Sequence, residues 1–302
     1  MLKKLLLIPF LLFLAMFSIA QQTFTVAEFN YMLSPNNSYV QKDTTSNAQF
    51  YSGFVTAPIV INEKGTVLAG IRGNIWKVKY TPELDWPETY YSSGLSLGYN
   101  HQFTENKSFL FILLPRLNSD YRYINSNALQ LGLFTTYSKR SSEKFLWKVG
   151  VYFSTEFFGP FVVPLFGLNW DVTSKLNIRG DLPIYAKIKY KVGNSFSAGL
   201  GYIALVSSYR LTGEFDDAYT SRYAIEPYAF AEVKFLKQLY FNAKFGYTMG
   251  RKYPIYEKDD RLDWQLSFIK FGDDRTQRNP EIEDNLFFEL GLAFKVEVGD
   301  KE

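Results

Sequence analysis

Charged side chains recur at every second position inside segments that are otherwise apolar. In the clearest case, Lys187, Lys189 and Lys191 alternate with Ile188 and Tyr190. Because successive side chains of an extended strand point to opposite faces, this spacing collects the charges on one face. Such a face can bind or steer small polar solutes if it borders a cavity, or fill the space with ion pairs if it does not. The residues selected by this pattern are Arg72, Arg116, Lys148, Asp171, Arg179, Asp181, Lys187, Lys189, Glu226, Glu232, Lys234, Lys244 and Glu289.

The sequence lacks the residue combinations that nucleophilic catalysis requires. Its single histidine, His101, falls in a predicted turn spanning His101–Lys107, with no candidate partner nearby in sequence. A nucleophile needs a neighbouring base, and no nucleophile elbow, phosphate loop or zinc motif is present. The sequence therefore predicts a protein that is not an enzyme and that uses no cofactor.

An acidic segment between Met249 and Asp284 is the one candidate for cation binding. Its carboxylates could bind a divalent cation, but their spacing fits no calcium-loop pattern. A solvated surface loop is the interpretation that the spacing favours, so no metal site is predicted. The carboxylates concerned are Asp259, Asp260, Asp263, Asp273 and Asp274.

The elements that carry the charged face are predicted to be antiparallel strands. From Tyr223 to Phe235 and from Leu239 to Tyr247, apolar and polar residues alternate, and only Leu236-Lys237-Gln238 separates the two runs. A period of two across a short turn indicates a β-hairpin. Similar segments recur along the chain and predict fourteen strands, at about Phe24–Leu33, Gln49–Ile59, Thr66–Val78, Thr89–Asn100, Ser108–Asn118, Ala128–Ser138, Lys144–Ser154, Phe161–Asp171, Lys175–Leu182, Ile184–Val192, Ser195–Val206, Arg222–Phe235, Leu239–Thr248 and Asn285–Val296.

The connections between these strands alternate between short and long. Compact turns alternate with longer polar links, which include Ser34–Ala48, Ser207–Ser221 and Met249–Asp284. This asymmetry, with aromatic residues at the strand ends, is typical of an up-and-down transmembrane β-barrel with short periplasmic turns and long extracellular loops. Leu182-Pro183 is either a very tight outer turn or a bend within one strand, which would give thirteen strands. Twelve or sixteen strands are further alternatives.

The N-terminus and the charge balance indicate export to a membrane. Residues 1–20 combine Lys3 and Lys4, an apolar run and a small-residue cleavage site, so they are predicted to be a cleaved signal peptide preceding a single barrel domain at 21–302. Removing those two lysines leaves 31 basic against 30 acidic residues. This balance excludes a nucleic-acid partner and leaves membrane lipid as the expected surroundings.

The final strand has the pattern of an assembly signal. In LFFELGLAFKV, Glu289, Gly291, Phe294 and Val296 match the polar, glycine, aromatic and hydrophobic positions that end many outer-membrane proteins. With Val26–Tyr31 and the stretch from Leu168 to Val192, this strand resembles an uncharacterised family of outer-membrane β-barrel proteins from Gram-negative bacteria, defined only as a domain of unknown function. The resemblance implies a barrel in the outer membrane that the barrel-assembly machinery recognises, and it supplies no catalytic residues.

Two functions remain open for such a barrel. It is either a passive channel or a small-solute-binding and transport barrel, whose ions line the solute path, or a structural or surface-interaction protein with a plugged lumen. Barrels of about eight strands are filled by side chains and those of 16–18 strands hold water channels. A count of fourteen strands lies between these and does not decide between the two functions. The inward ions fit both functions.

Overall fold

The alternating segments form eighteen strands. A computed structural model describes residues 22–39, 42–79, 87–122 and 126–298, so the predicted signal peptide at 1–20 lies outside the described residues. The strands are β1 (Gln22–Tyr39), β2 (Lys42–Asn62), β3 (Gly65–Val78), β4 (Thr89–Thr104), β5 (Lys107–Ser119), β6 (Leu129–Ser142), β7 (Phe145–Glu156), β8 (Gly159–Asp171), β9 (Leu176–Leu182), β10 (Tyr185–Lys191), β11 (Phe196–Arg210), β12 (Ala218–Lys234), β13 (Leu239–Tyr247), β14 (Met249–Lys252), β15 (Ile255–Glu257), β16 (Trp264–Leu266), β17 (Ile269–Phe271) and β18 (Leu286–Val298).

Fourteen of these strands close into an antiparallel barrel. Each strand from β1 to β12 pairs with the next, β13 pairs with β18, and β18 returns to β1. The predicted fold class and strand count are therefore confirmed, and thirteen, twelve or sixteen strands are wrong. Leu182-Pro183, which the sequence leaves open as a turn or a bend, forms a tight turn, because the Ile184 amide donates to the Asp181 carbonyl at 2.9 Å.

The outer surface of the barrel is apolar. Side chains such as Phe29, Ile71, Phe166, Leu200 and Leu290 are exposed at alternate strand positions. Apolar surface of this extent is stable against lipid rather than water, so the molecule is a transmembrane β-barrel. The helices of the described residues are two single-turn 3-10 helices, Ser126–Ala128 and Gly213–Phe215, and no described helix is long and apolar enough to cross a membrane.

The two ends of the barrel differ. At the end we call the turn end, tight hairpins join the strands, and Gln22 at the start of β1 pairs with Val298 at the end of β18. The opposite end, the loop end, carries the segment between β13 and β18. Three loop-end connections are only two residues long: those between β1 and β2, between β7 and β8 and between β9 and β10.

Two predicted connections are in fact strand. The segment Ser34–Ala48 extends the β1–β2 hairpin, with Asn37 paired to Ser46. The Asn37 side chain donates to the carbonyls of Ser34 and Ser46, both at 2.7 Å, so a polar sequence meets its hydrogen-bonding needs inside the hairpin. Similarly, His101 lies in β4 rather than in a turn, where its ring contacts those of Tyr99 and Phe103 on the outer face.

Candidate functional site

The thirteen predicted lumen residues lie on the inward-facing side of their strands. The structure brings several into ion pairs: Lys148 Nζ lies 2.9 Å from Asp181 Oδ1, and Lys244 Nζ lies 2.6 Å from Glu289 Oε1. Others bond to neutral groups, as Arg72 Nε does to Ser96 Oγ at 3.0 Å. Asp171 accepts from Asn177 near the turn end, and Lys234 lies over the Tyr240 ring. Their role in a solute path stays a prediction.

A cluster of basic side chains surrounds one carboxylate in the turn-end half of the lumen. Lys189 Nζ donates to Glu232 Oε1, and Lys295 Nζ donates to Glu232 Oε2 at 2.5 Å. Lys187 and Arg179 face each other across the β9–β10 pair. Lys187 is close enough to Glu232, Lys189 and Lys295 to interact with their charges, and Arg179 is close enough to interact with Lys187 and Lys189. Neither Lys187 nor Arg179 forms an ion pair with a described carboxylate. We call Arg179, Lys187, Lys189, Lys295 and Glu232 the cationic cluster.

A glycine makes room for an aromatic ring beside the cationic cluster. A Cβ placed at Gly199 would lie 1.9 Å from the Ile188 carbonyl oxygen and 2.9 Å from the Phe230 ring, so this position requires glycine. The Phe230 ring occupies the space above the glycine, and Lys187 Nζ lies 3.8 Å from the centroid of that ring. A cation over an aromatic face is stabilised by the ring quadrupole. The aromatic ring thus holds the Lys187 ammonium group in the lumen.

The wall opposite the cationic cluster is apolar toward the turn end, on the turn side of Arg72 and Arg116. Gly98 on β4 lies between Leu68 and Ile112, because a Cβ there would touch both side chains, and Gly132 on β6 lies against Leu114 in the same way. In the barrel order β4 is about half the circumference from β10 and β11, and β6 is about a third of the circumference from them. The lumen therefore combines an apolar wall and a basic wall, and this combination suits a small solute with an apolar body and a negative charge.

The loop end of the lumen is filled by an aromatic core. Trp76 and Tyr90 stack with ring centroids 4.8 Å apart, and Tyr209 and Tyr253 pack against them. Ile255 from the long β13–β18 connection is fully buried in the same core. Burial of large aromatic side chains contributes strongly to stability, so the long connection is a packed cap on the barrel rather than a solvated loop.

A buried ion pair holds the β11–β12 hairpin across this end. Arg116 on β5 donates to Glu156 on β7, whose side chain is fully buried. Glu156 also accepts from the Ser208 amide at 3.0 Å and from Ser208 Oγ at 2.6 Å. Further along β11, Arg210 pairs with Ser119 of β5. The hairpin therefore leans inward, and we call Arg116, Glu156 and Ser208 the latch.

Hydrogen bonds fix the β13–β18 connection to the rim. Arg251 donates to Asn37 Oδ1 and, at 2.8 Å, to Ser34 Oγ of the β1–β2 hairpin. The Ile255 amide donates to Asn279 Oδ1 at 2.7 Å. The Asn37 and Ser34 side chains, placed in a polar link by the sequence pattern, are thus buried anchors of the cap.

The acidic residues of the connection stabilise its own fold. Asp260 accepts from the Thr276 amide at 2.8 Å, and Asp273 pairs with Arg275 at 2.8 Å. The Arg275 guanidinium holds the pKa of the Asp273 carboxyl below its usual value. No group of three or more His, Cys, Asp or Glu side chains among the described residues is arranged to hold a metal ion.

Sequence reasoning missed three residues of these networks. Lys295 lies on the same face of the last strand as Glu289 and Gly291, so its alternation could have identified it. Glu156 follows Lys148 on the inward face of β7, so the same alternation could have identified it. Ser208 carries no charge, and its role depends on the inward lean of β11, which no local pattern reveals.

The assembly-signal residues all lie in β18. Glu289 pairs with Lys244, and a Cβ at Gly291 would lie 2.2 Å from Asn30 Oδ1. Phe294 and Val296 fall on the outward-facing side, opposite Ala27 and Phe24 of β1. Recognition of these residues by the barrel-assembly machinery stays a prediction.

Comparison with known proteins adds a family and a set of similar folds. A family described as "Domain of unknown function (DUF6268)" matches residues 19–295. A search of curated proteins finds no match to the chain. Among solved structures, the COG4313 outer membrane channel from Pseudomonas putida F1 is 10% identical with a TM-score of 0.48, over 91% of this chain and 97% of that chain. The Pseudomonas putida toluene transporter TodX is 8% identical with a TM-score of 0.35, over 93% and 91%.

A third similar structure is the translocator domain of the autotransporter NalP from Neisseria meningitidis. It is 9% identical with a TM-score of 0.33, over 90% of this chain and 89% of that chain. At these values the similarity is confined to the overall fold.

Proposed function

We propose that this chain, which belongs to the family described as a domain of unknown function (DUF6268), is an outer-membrane barrel that binds and passes small amphipathic organic anions. Its turn end faces the periplasm and its loop end faces the exterior. The predicted signal peptide and the apolar outer surface support this location.

The cationic cluster is the observation that carries the proposal. Basic side chains outnumber carboxylates there, and Glu232 already accepts from both Lys189 and Lys295. Two unit charges 4 Å apart interact by about 4 kcal/mol at an effective dielectric constant of 20. An anion placed near Arg179 and Lys187 would therefore be attracted by two basic groups that form no ion pair with a described carboxylate.

The facing apolar wall adds selectivity for an amphipathic anion. Leu68 and Ile112 are partly exposed and offer apolar surface to the solute body, worth about 25 cal/mol per Å² removed from water. A fully hydrated inorganic anion would gain nothing from that surface. The solute class that uses both walls is a small carboxylate with an aromatic or aliphatic body.

The closed loop end makes the barrel a gated one. The aromatic core around Trp76 and the latch occupy the route to the exterior in the described part of the chain. Passage therefore requires movement of the β11–β12 hairpin or of the cap. The alternative, a structural barrel with a plugged lumen, is favoured by the same packing, because such extensive burial also suits a permanent plug.

Equilibrium binding separates the two functions. Benzoate and its neutral isostere benzamide are titrated into the purified, folded protein by calorimetry. We expect benzoate to bind at least tenfold more tightly, and Lys187→Gln and Arg179→Gln each to weaken it about tenfold, which corresponds to about 1.4 kcal/mol. Lys64→Gln, in a turn between β2 and β3, is the matched control and should leave binding unchanged. Absence of benzoate binding, or equal binding of both ligands, would favour the plugged barrel.

A further inference from the structure

The barrel wall is shortened at β9 and β10. Each of these strands has seven residues, whereas a tilted membrane strand needs about 9–11. On β8, Trp170 lies near the turn end and Phe166 pairs with Leu182, the last residue of β9. At a rise of about 3.3 Å per residue and a tilt of about 40°, β9 ends about 10 Å above Trp170. The apolar band of a membrane barrel is about 25 Å tall.

The strands on either side do not close this gap with each other. Beyond Phe166, β8 has no β9 partner, and beyond Ala204, β11 has no β10 partner. The outer part of β11 leans inward to reach β5 through the pairing of Arg210 with Ser119. The wall between β8 and β11 would therefore be open over the loop-end half of the bilayer unless another segment filled it.

The β16–β17 hairpin fills the gap. Strand β16 runs parallel to β8, with Gln265 opposite Phe161 and Leu266 opposite Val162. At the tip, the Ser267 amide donates to the Val162 carbonyl at 2.8 Å. Val162 lies about 20 Å above Trp170 by the same rise and tilt, which is inside the apolar band.

The two faces of the hairpin differ in polarity as a wall segment requires. The inner face carries Gln265, which is buried, and Lys270, whose ammonium lies 5.1 Å from the centroid of the Tyr223 ring. The opposite face and the tip are apolar and exposed. Phe268 at the tip is 84% exposed, and Trp264, Ile269 and Phe271 are also exposed. The rings of Trp264 and Phe271 stack at 4.3 Å.

We infer that the β16–β17 hairpin is a membrane-embedded panel that completes the barrel wall and contacts lipid acyl chains. Its exposed apolar side continues the lipid-facing surface of the neighbouring strands, where Phe166 on β8 is 64% exposed. The panel accounts for an exposed phenylalanine, Phe268, inside an acidic connection that the sequence pattern assigns to water. This inference depends on the transmembrane barrel alone and is independent of the solute.

Depth-dependent quenching tests the panel directly. Because the chain has no cysteine, single variants Phe268→Cys and Ile269→Cys can be labelled with an environment-sensitive fluorophore. The proteins are reconstituted into phosphatidylcholine vesicles that carry a mid-chain nitroxide. Phe166→Cys is the lipid-facing control and Asp217→Cys, on the β11–β12 connection, is the aqueous control. We expect blue-shifted emission and at least half of the Phe166 quenching at either hairpin position.

The panel is overturned if both hairpin labels emit like the Asp217 label and show less than half of the Phe166 quenching. A second measurement leaves the tip unmodified. Quenching by brominated lipid is compared between the wild-type protein and Trp264→Phe, and the difference reports the Trp264 environment. We expect brominated lipid to quench a larger fraction of the tryptophan fluorescence in the wild-type protein than in Trp264→Phe, because the substitution removes a lipid-exposed tryptophan. Equal quenching in the two proteins would contradict the panel without any labelled variant. Heat-modifiable gel migration identifies folded barrels in each sample.

Discussion

Removal of Arg116 should expose the energetic importance of the latch. Glu156 is fully buried, and Arg116 is its only ion-pair partner among the described residues. Arg116→Met leaves the carboxylate with neutral donors, chiefly Ser208 and Ser154. Removing one partner of a buried pair costs about 3–5 kcal/mol, because the remaining charge stays desolvated. We expect a loss of that size in the free energy of unfolding.

A second substitution distinguishes this cause from lost packing. Glu156→Gln removes the charge while keeping the shape of the side chain, so it should restore more than half of the loss when combined with Arg116→Met. The measurement is urea unfolding of the folded protein in vesicles, followed by tryptophan fluorescence, with the slope m compared between variants. An Arg116→Met cost below about 0.5 kcal/mol, or strict additivity of the two substitutions, would refute the role assigned to the latch.

Three further predictions concern the cap and the last strand. Ile255→Ala should destabilise the cap by about 2–5 kcal/mol, because it leaves a cavity in the aromatic core. We expect faster amide hydrogen exchange confined to the cap, and unchanged exchange would argue against the packed core. Arg275 lowers the pKa of Asp273 below its usual 3.8, so folding favours the ionised carboxyl. The contribution of this carboxyl to the stability of the cap is therefore fully present above pH 3.8 and is lost as the pH falls through the lowered pKa. Asp273→Asn should therefore accelerate proteolysis of the cap at neutral pH and flatten its dependence below about pH 4; an unchanged acid profile would contradict the assignment. Phe294→Ala and Gly291→Asp should each reduce the heat-modifiable, folded fraction in cells, and normal assembly of both would make the terminal pattern coincidental.

The wall of the barrel was predictable from sequence because its signal is local. Alternation with period two reports which face of a strand meets lipid, and a tight turn at Leu236–Gln238 reports where the chain reverses. Polarity alone misassigned Ser34–Ala48, because the sequence does not reveal that Asn37 finds its partners within the hairpin. Chain reversal at Leu182-Pro183 was equally ambiguous, since a bend and a turn have the same composition.

The contents of the lumen were harder to predict because they depend on contacts distant in sequence. Glu156 and Ser208 are brought together only when β11 leans inward, and the alternation of β11 continues unchanged through that lean. Phe268 lies in an acidic segment, and its exposure to lipid follows from the short β9 and β10 strands rather than from its own neighbours. The alternation of polar and apolar residues therefore predicts which side chains face the lumen and which face lipid. The contacts between strands that are distant in sequence become known only from the three-dimensional structure.

Single-channel recording tests the central claim of a closed barrel with a cationic lumen most directly. The wild-type protein and the Arg116→Met/Glu156→Gln variant are compared in planar bilayers under a potassium chloride gradient. The structure predicts a wild-type protein that is mostly closed, a variant that opens far more often, and an anion-selective reversal potential in both. Continuous openings of the wild-type protein, a cation-selective reversal potential, or a folded variant that inserts without conducting would contradict that claim.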